Sequence, residues 1–354
     1  MAVSCGLVGI PGSGKTTLYN AVTASQEATF ADGATHRAIV EAPDPRVTKL
    51  VELYHPKKIV RAKFELIDIP GLAAGDTADG RAGRWLAGLK EADALLHVVR
   101  CFGDPEDIDP LGDVETVDLE LLVADSATLE NKINRLAKRV RAGDKDATRE
   151  REDCVKVAAA LQEGVPVRRQ ELSRRETDSI RDCQLLSEKP VLYVANLGVP
   201  GDESREDVQS VAQLAAEEGA GFLTVCGRDE ADISQLDPED QAEFLSELGI
   251  EESSLGRVAH AAYRTLGLVD FFTAGEKEVH VWTCRLGDTA PVAAGKIHTD
   301  MERGFIRMEI IPYDVLVELG SESAVIEAGR RQLVGKEYTV QDGDIVVVRF
   351  SPPK

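Results

Sequence analysis

Short apolar runs alternate with segments of helical spacing over much of the chain. The apolar runs predict buried strands at Cys5–Val8, Lys63–Ile69, Ala94–Cys101, Lys189–Ala195 and Gly221–Cys226. Helical spacing predicts helices at Thr17–Ala24, from Pro43 to Tyr54, at Trp85–Glu91 and at Asp207–Glu218. This alternation over residues 1–115 and 187–235 favours an α/β fold with a doubly wound, mostly parallel sheet.

Residues 119–140 follow a different period. Their apolar positions recur at alternating spacings of 3 and 4, which is a heptad seam: Leu119, Leu122, Ser126, Leu129, Ile133, Leu136 and Val140. Gly143–Asp146 interrupts the seam, and a second helical stretch places Cys154, Val157 and Leu161 on one face. A third helix is predicted over Arg168–Leu186. Residues 116–186 are therefore predicted to form a helical coiled-coil hairpin inserted between two strands of the sheet.

The last part of the chain has its own pattern. Strands are predicted at Val279–Cys284, Ile306–Ile311 and Ile345–Phe350, with a short helix at Tyr313–Leu319. The pattern indicates a small α+β domain. The predicted organisation is a first domain of residues 1–115 and 187–275, an inserted domain of residues 116–186, and a C-terminal domain of residues 276–354.

Composition is that of a globular protein of 354 residues, with 43% hydrophobic and 29% charged residues. No apolar run approaches the length of a membrane span, and the N-terminal residues do not resemble a signal peptide. Six scattered cysteines without a C-x-x-C pair predict reduced thiols and a cytoplasmic location. The net charge of −21 disfavours bulk nucleic-acid binding, and no DNA partner is expected.

Local basic clusters stand out against that acidic background. Residues 131–143 contain no acid and carry Lys132, Arg135, Lys138, Arg139 and Arg141, and further along the insert come Arg168, Arg169, Arg174 and Arg175. These cations could contact an RNA phosphate backbone, or they could form an ordinary solvated helix face.

The clearest chemical motif is G-x-x-x-x-G-K-T at residues 9–16, between the first predicted strand and the first helix. This is the context of a P-loop, in which backbone N–H groups and a helix N-terminus surround a polyphosphate. Lys15 would reach the β- and γ-phosphates, and the Thr16 hydroxyl would ligate Mg²⁺. The candidate nucleotide-binding residues of the loop are Gly9, Pro11, Gly12, Ser13, Gly14, Lys15, Thr16 and Thr17.

A second motif, Asp68-Ile69-Pro70-Gly71, ends a predicted strand downstream of the P-loop. Asp68 would hold Mg²⁺, and the Gly71 N–H would contact the γ-phosphate. Leu72 stands where many P-loop hydrolases carry a glutamine that orients water. Slow hydrolysis, or dependence on a partner, is therefore expected. Residues 75–83 are predicted to be a second switch loop.

Three further positions leave two interpretations open. Phe102 follows a strand end, where it could stack on a base or pack in the core. His97, inside an apolar strand, is interpreted as a core histidine in preference to a ligand. His298 could recognise a partner at the surface, although a hydrogen-bonded structural histidine is the favoured reading.

Taken together, these segments resemble the YchF/Obg-like family of P-loop NTPases over nearly the whole chain. The resemblance rests on G-I-P-G-S-G-K-T at 9–16, P-D-P-R at 43–46, D-I-P-G-L at 68–72, H-V-V-R-C-F at 97–102 and K-P-V-L-Y-V-A-N at 189–196, with F-F-T-A-G-E-K-E-V at 271–279 and T-A-P-V-A-A-G-K-I-H-T-D-M-E-R-G-F-I-R at 289–307. It implies NTP hydrolysis, often with ATP preferred, ribosome association, and a C-terminal β-grasp domain of the TGS type.

The sequence departs from the family pattern in several places. Gly12-Ser13 replace an Asn-Val pair whose Asn is a proposed K⁺ ligand, which makes K⁺ dependence doubtful. The base-reading segment Asn196-Leu197-Gly198-Val199 lacks an acid, although Asn196 and Leu197 remain candidates to line the base pocket. The loop 75–83 is short, and the first-switch position is either Asp32 or Thr35.

The favoured hypothesis is a slow Mg²⁺-dependent NTPase, with ATP favoured over GTP, that switches a ribosome- or RNA-binding surface on the helical arm and TGS domain. One alternative is a nucleotide-gated ribosome- or protein-binding module with negligible turnover, and another is a GTP-specific GTPase. A small-molecule kinase is a weaker alternative, because D-x-x-G followed by a separate base-reading loop is typical of switch proteins.

Overall fold

The computed structural model describes residues 3–23, 35–69, 87–237, 240 and 254–351. The chain divides into two units, each containing a six-stranded sheet. Unit A comprises Val3–Ile39 and Glu65–Thr265, and unit B comprises Val40–Phe64 and Leu266–Lys354.

The strands are, in chain order, β1 (Val3–Val8), β2 (His36–Glu41), β3 (Ile59–Val60), β4 (Lys63–Asp68), β5 (Ala94–Cys101), β6 (Val191–Leu197), β7 (Gly221–Val225), β8 (Leu268–Ala274), β9 (Val279–Arg285), β10 (Phe305–Pro312), β11 (Gln332–Val334) and β12 (Asp344–Phe350). Sheet A has the order β2-β4-β1-β5-β6-β7, and sheet B has the order β11-β10-β12-β8-β9-β3. The pairs β1–β5, β5–β6 and β6–β7 are parallel, which confirms the predicted α/β fold.

The helices are α1 (Lys15–Thr23), α2 (Pro45–Tyr54), α3 (Pro110–Arg141), α4 (Lys145–Gln162), α5 (Arg174–Ile180), α6 (Glu206–Glu218), α7 (Gly227–Ile233), α8 (Ser254–Thr265), α9 (Ala290–Ile297), α10 (Thr299–Arg303), α11 (Tyr313–Leu319) and α12 (Glu322–Glu327). Residues 87–91 are also helical. None of the described helices is both long enough and apolar enough to cross a bilayer.

The inserted hairpin is formed by α3 and α4. Asp109 caps α3 by accepting a hydrogen bond from the Gly112 N–H, and Pro110 occupies its first position. The basic residues of the last turn interact favourably with the partial negative charge at the helix C-terminus. Local sequence therefore fixes both ends of a helix that begins six residues before the predicted insert.

The predicted seam of α3 is only partly correct. Leu122, Leu129 and Leu136 pack against α4, whereas Leu119 is 61% exposed. The first half of α3 instead buries Val114, Val117 and Leu121 in the core of sheet A. The first half of α3 therefore packs in the core of sheet A and the second half packs against α4, so a single heptad repeat does not describe the whole helix.

The third helix predicted over Arg168–Leu186 is wrong as a single element. The helix α5 covers only Arg174–Ile180, with one 3₁₀ turn before it and two after it. A capping box between Ser173 and Glu176 starts the helix. Gln184 ends the following turn in the left-handed region, with a φ of 49°.

A buried ionic network ties the insert to sheet A. The Arg168 guanidinium lies 2.8 Å from both carboxylate oxygens of Asp118 on α3, and 3.1 Å from Glu218 at the end of α6. Glu218 is 1% exposed and also accepts a hydrogen bond from the Tyr193 hydroxyl at 3.0 Å. Arg169 provides a second cation 2.6 Å from this carboxylate.

Unit B contains two segments that sequence patterns place elsewhere. The strand β8 pairs with β9 and β12, although residues 268–274 fall inside the predicted first domain. Residues 40–64 also belong to unit B, where β3 pairs with β9. Arg46 of the P-D-P-R motif donates to Asp44 and to Asp342, and its guanidinium lies 5.1 Å from the centre of the Phe272 ring. The domain boundaries at residues 115, 187 and 275 stay a prediction.

All six cysteines are buried and carry free thiols. The structure gives no cluster of three or more His, Cys, Asp or Glu residues that could hold a metal ion within the described ranges.

The substitution Arg168→Met should destabilise the protein by about 3–5 kcal/mol, because it leaves buried carboxylates without their main cation. Urea unfolding followed by far-ultraviolet circular dichroism measures the change. The matched control is Arg181→Met, because Arg181 is 72% exposed and pairs with Asp178 one turn away. A loss below about 1 kcal/mol for Arg168→Met would show that Arg169 alone neutralises Glu218.

Candidate nucleotide-binding site

The loop between β1 and α1 has a backbone that only glycine adopts without strain. Gly9 has a φ of 149° and Gly14 a φ of 94°. A Cβ atom at Gly9 would lie 2.4 Å from the Val98 carbonyl oxygen, and one at Gly14 would lie 2.1 Å from Nδ2 of Asn196. The loop therefore needs glycine for its backbone path and for its close contacts with β5 and β6.

Lys15, the first residue of α1, folds back over this loop. Its Nζ donates hydrogen bonds to the carbonyl oxygens of Gly9 and Ile10, both at 2.8 Å. The side chain is 6% exposed, and burial lowers the pKa of the Lys15 ammonium to about 8, although the charges of Asp68 and Glu120 partly oppose this shift. Lys15 is therefore a cation held beside the loop backbone, where an anionic group can replace the two carbonyl contacts.

Thr16 and Asp68 meet next to the loop. The Thr16 hydroxyl donates to Oδ2 of Asp68 at 3.0 Å, and Asp68 is 5% exposed at the end of β4. One hydroxyl and one carboxylate are hard oxygen ligands, which is the donor set that Mg²⁺ takes in proteins when phosphates and water supply the rest. These two residues, 52 positions apart in the chain, fit a magnesium ion.

Asn196 connects the loop with the opposite side of the site. Its Nδ2 donates to the Ser13 carbonyl oxygen at 3.0 Å, and its Oδ1 accepts a hydrogen bond from the Gly227 N–H at 3.0 Å. The adjacent Leu197 is 3% exposed and packs in the core of sheet A. Asn196 thus connects the two loops. The Leu197 side chain packs in the core, so a base could contact Leu197 through its backbone.

Phe102 lies between the phosphate loop and the base-reading loop. A Cβ atom at Gly14 would be 3.9 Å from the ring, and one at Gly198 would be 3.5 Å from the Phe102 Cβ. The position suits stacking on a base whose phosphates occupy the loop, and the role of Phe102 stays a prediction.

Of the two histidines singled out by the sequence, His97 is a core residue, and the role of His298 stays a prediction. His97 is 2% exposed, and burial, together with the charges of Arg168 and Lys15, lowers its pKa to about 3. It is a neutral core residue beside Tyr193, and its Nε2 has no hydrogen-bond partner among the described residues. His298 is exposed, and its Nδ1 accepts from the Asp300 N–H at the start of α10.

The basic clusters of the insert are largely neutralised in space. Lys132 is 4% exposed and pairs with Glu150 and Asp182. The arginines pair with acids on neighbouring turns and helices: Arg135 with Asp182, Arg139 with Asp144, Arg168 with Asp118, Arg169 with Glu218 and Arg175 with Asp153. Among the described residues, Lys138, Arg141 and Arg174 make no such pair. The cationic surface is therefore smaller than the sequence suggests.

Several predicted positions lie outside the described residues, including Asp32, Gly71, Leu72 and the loop 75–83. Thr35 is described and exposed, with no role indicated by its surroundings. The structure also brings forward two residues that sequence patterns missed, Arg100 and Arg205, which hydrogen-bond the chain around Phe102. The sequence signal that could have identified Arg100 is its charge within an otherwise apolar strand.

Comparison with family models gives two matches. Residues 4–147 match a family described as "50S ribosome-binding GTPase". Residues 268–351 match the C-terminal family of YchF GTPases, described as "Protein of unknown function (DUF933)".

Full-length relatives point the same way. The chain is 42% identical to the ribosome-binding ATPase YchF of Haemophilus ducreyi and 41% identical to that of Bacillus subtilis, each alignment covering 99% of this chain and 100% of the relative. The solved structure of the Schizosaccharomyces pombe YchF GTPase superimposes with a TM-score of 0.80 at 30% identity, covering 98% of this chain and 97% of that one. The chain therefore belongs to the YchF family of P-loop proteins.

Proposed function

We propose that this chain is a slow, Mg²⁺-dependent P-loop nucleoside triphosphatase that favours ATP over GTP and switches a ribosome-binding surface. The observation that carries the proposal is the hydrogen bond between Thr16 and Asp68, immediately beside Lys15. The contact brings together two candidate magnesium ligands, one from helix α1 and one from strand β4, next to the candidate phosphate-binding cation in the chain.

Each residue has a distinct role in this proposal. The backbone of residues 9–14 surrounds the phosphates, and Lys15 exchanges its two carbonyl contacts for the β- and γ-phosphates. Thr16 and Asp68 would hold Mg²⁺, which would supply charge neutralisation at the phosphate oxygens. The role predicted for Gly71, which lies outside the described residues, is to contact the γ-phosphate and so to distinguish the triphosphate from the diphosphate.

The absence of a glutamine at Leu72 supports slow turnover, because a leucine side chain cannot orient water. The main alternative is a nucleotide-gated binding module with negligible turnover. Single-turnover kinetics separate the two: bound ATP that stays intact for hours, even with ribosomes present, would favour the alternative.

The preference for ATP rests on the segment 196–199 and on the relatives. No carboxylate in this segment can accept hydrogen bonds from guanine N1 and N2. The Haemophilus ducreyi and Bacillus subtilis relatives are named ATPases, whereas the Schizosaccharomyces pombe structure is named a GTPase. A GTP-specific enzyme therefore remains the second alternative, which a comparison of ATP and GTP binding resolves.

The proposed partner is the ribosome, in a cytoplasmic setting. The curated relatives are named ribosome-binding proteins, and the exposed cations Lys138, Arg141 and Arg174 on the insert are available to phosphate groups of ribosomal RNA. The C-terminal unit is the other proposed contact. K⁺ dependence is not expected at Gly12-Ser13.

The substitution Lys15→Ala should reduce the rate of NTP hydrolysis by about 10²–10³-fold, since it removes the cation nearest the transferred phosphate. Phosphate release under saturating Mg²⁺ and ATP measures the effect, with Arg181→Met as the control that keeps the wild-type rate. Equal rates for wild type and Lys15→Ala would remove Lys15 from the mechanism.

Nucleotide affinity should fall as the pH rises above about 8, approaching a tenfold loss per pH unit. Below that value Lys15 is charged, and above it the buried amine loses its proton while the phosphates stay fully ionised. Calorimetric titrations with Mg²⁺ and ATP at several pH values test this. Lys15→Arg keeps a positive charge throughout, so a parallel loss of affinity in that variant would assign the titration to another group.

The substitution Val199→Asp should raise the ratio of GTP to ATP affinity by about tenfold or more, because a carboxylate can accept hydrogen bonds from the guanine N1 and N2 donors. Val199 is 56% exposed just beyond β6, so the change should not disturb the core. Val155→Asp on the insert, at a site 42% exposed, is the matched control. An unchanged ratio would place the base away from residues 196–199.

A further inference from the structure

We propose that Arg205 and Arg100 are positioning residues that hold Phe102 as a platform for the nucleotide base. The inference rests on the proposed function, because it assumes that phosphates occupy the loop at residues 9–16. It extends that function by naming residues that contribute to the affinity for the base, as distinct from the affinity for the phosphates.

Two guanidinium groups bind successive carbonyl oxygens of the turn that carries Phe102. Arg205 Nη1 donates to the Cys101 carbonyl oxygen at 3.2 Å, and Arg100 Nε donates to the Phe102 carbonyl oxygen at 3.3 Å. The next residue, Gly103, has a φ of 108°, in the region that favours glycine. Side chains therefore hold the backbone carbonyl groups of both Cys101 and Phe102.

Arg205 is itself held in place. Its Nε and Nη2 contact the two carboxylate oxygens of Asp207 at 3.1 and 2.7 Å, and its Nη1 lies 3.3 Å from Asp202. Only 20% of the side chain is exposed. Arg205 occupies the cap position of α6, where helices prefer Ser, Thr, Asp or Asn, and it makes no capping hydrogen bond there. The capping preference of α6 gives no reason for an arginine at this position, whereas the pairs with Asp202 and Asp207 hold its guanidinium where it reaches the Cys101 carbonyl oxygen.

Arg100 lies within the buried strand β5, where a charged side chain is rare. Its guanidinium lies 5.4 Å from the centre of the Phe102 ring, close enough for a cation–π contact. The arginine therefore fixes one side of the ring as well as the backbone beneath it.

The location of the Phe102 ring suits contact with the base of a bound nucleotide. Phe102 lies against Gly14 of the phosphate loop and Gly198 of the base-reading loop. Residues 196–199 contain no acid that could accept hydrogen bonds from a base, so stacking on the Phe102 ring is the base interaction on which this proposal depends. Stacking tolerates any base, so the exact placement of the ring controls affinity more than it controls base choice.

The test compares a ligand that has a base with one that lacks it. Calorimetry measures the binding of ATP and of inorganic tripolyphosphate, each with Mg²⁺, to wild type and to Arg205→Met. We expect Arg205→Met to weaken ATP binding by about tenfold and to leave tripolyphosphate binding unchanged. In hydrolysis assays KM for ATP should rise about tenfold while kcat stays within about twofold. The matched control is Arg181→Met, which removes an exposed arginine from the insert and should change neither ligand.

A double-mutant cycle with Phe102→Leu tests whether Arg205 acts through the ring. Phe102→Leu should show the same selective loss of ATP affinity, and adding Arg205→Met to it should cause no further loss. Fully additive losses would overturn the proposal, since Arg205 would then act independently of Phe102.

The remaining outcomes are also decisive. Equal losses for ATP and tripolyphosphate in Arg205→Met would show an effect on the phosphate loop or on folding, and would overturn the proposal, as would no loss for either ligand. If wild type bound neither ligand, the proposed function itself would fail. Lys15→Ala should lose both ligands, which separates phosphate recognition from base recognition.

Discussion

The site depends on a constraint of parallel sheets, whose strands all end at the same edge. The strands β1, β5 and β6 are parallel and lead into Gly9, Phe102 and the segment after Leu197. Groups separated by up to 183 positions, such as Ser13 and Asn196, thereby come within hydrogen-bonding distance. The phosphate loop, the candidate magnesium ligands and the candidate base-reading segment therefore lie at the same edge of the sheet.

Charge is handled differently at this edge and on the helical insert. At the edge, Lys15 is buried beside carbonyl oxygens and one buried carboxylate, so its positive charge is costly until an anion arrives. On the insert, most cations already have a carboxylate partner on the same or a neighbouring helix. Local charge along the sequence therefore overstates the cationic surface, because acids distant in sequence fold onto it.

Unit B shows how chain order and spatial order diverge. The segment 40–64 leaves sheet A after β2 and returns at β4, having contributed α2 and β3 to unit B. Arg46 holds this segment through Asp44, Asp342 and the ring of Phe272. Asp68 is the last residue of the returning strand β4.

Features that depend only on residues close together in the chain could be predicted from the sequence. Glycine spacing with Lys15-Thr16 identified the phosphate loop, apolar runs located the main strands of sheet A, and Asp68 was recognisable by its place at a strand end. Three things required the tertiary structure: the partners that neutralise the insert, the assignment of β8 and residues 40–64 to sheet B, and the hydrogen bonds from Arg100 and Arg205 to the turn at Phe102. Each involves groups brought together by folding, and the period of a sequence reports which face of an element is apolar but not which neighbour that face meets.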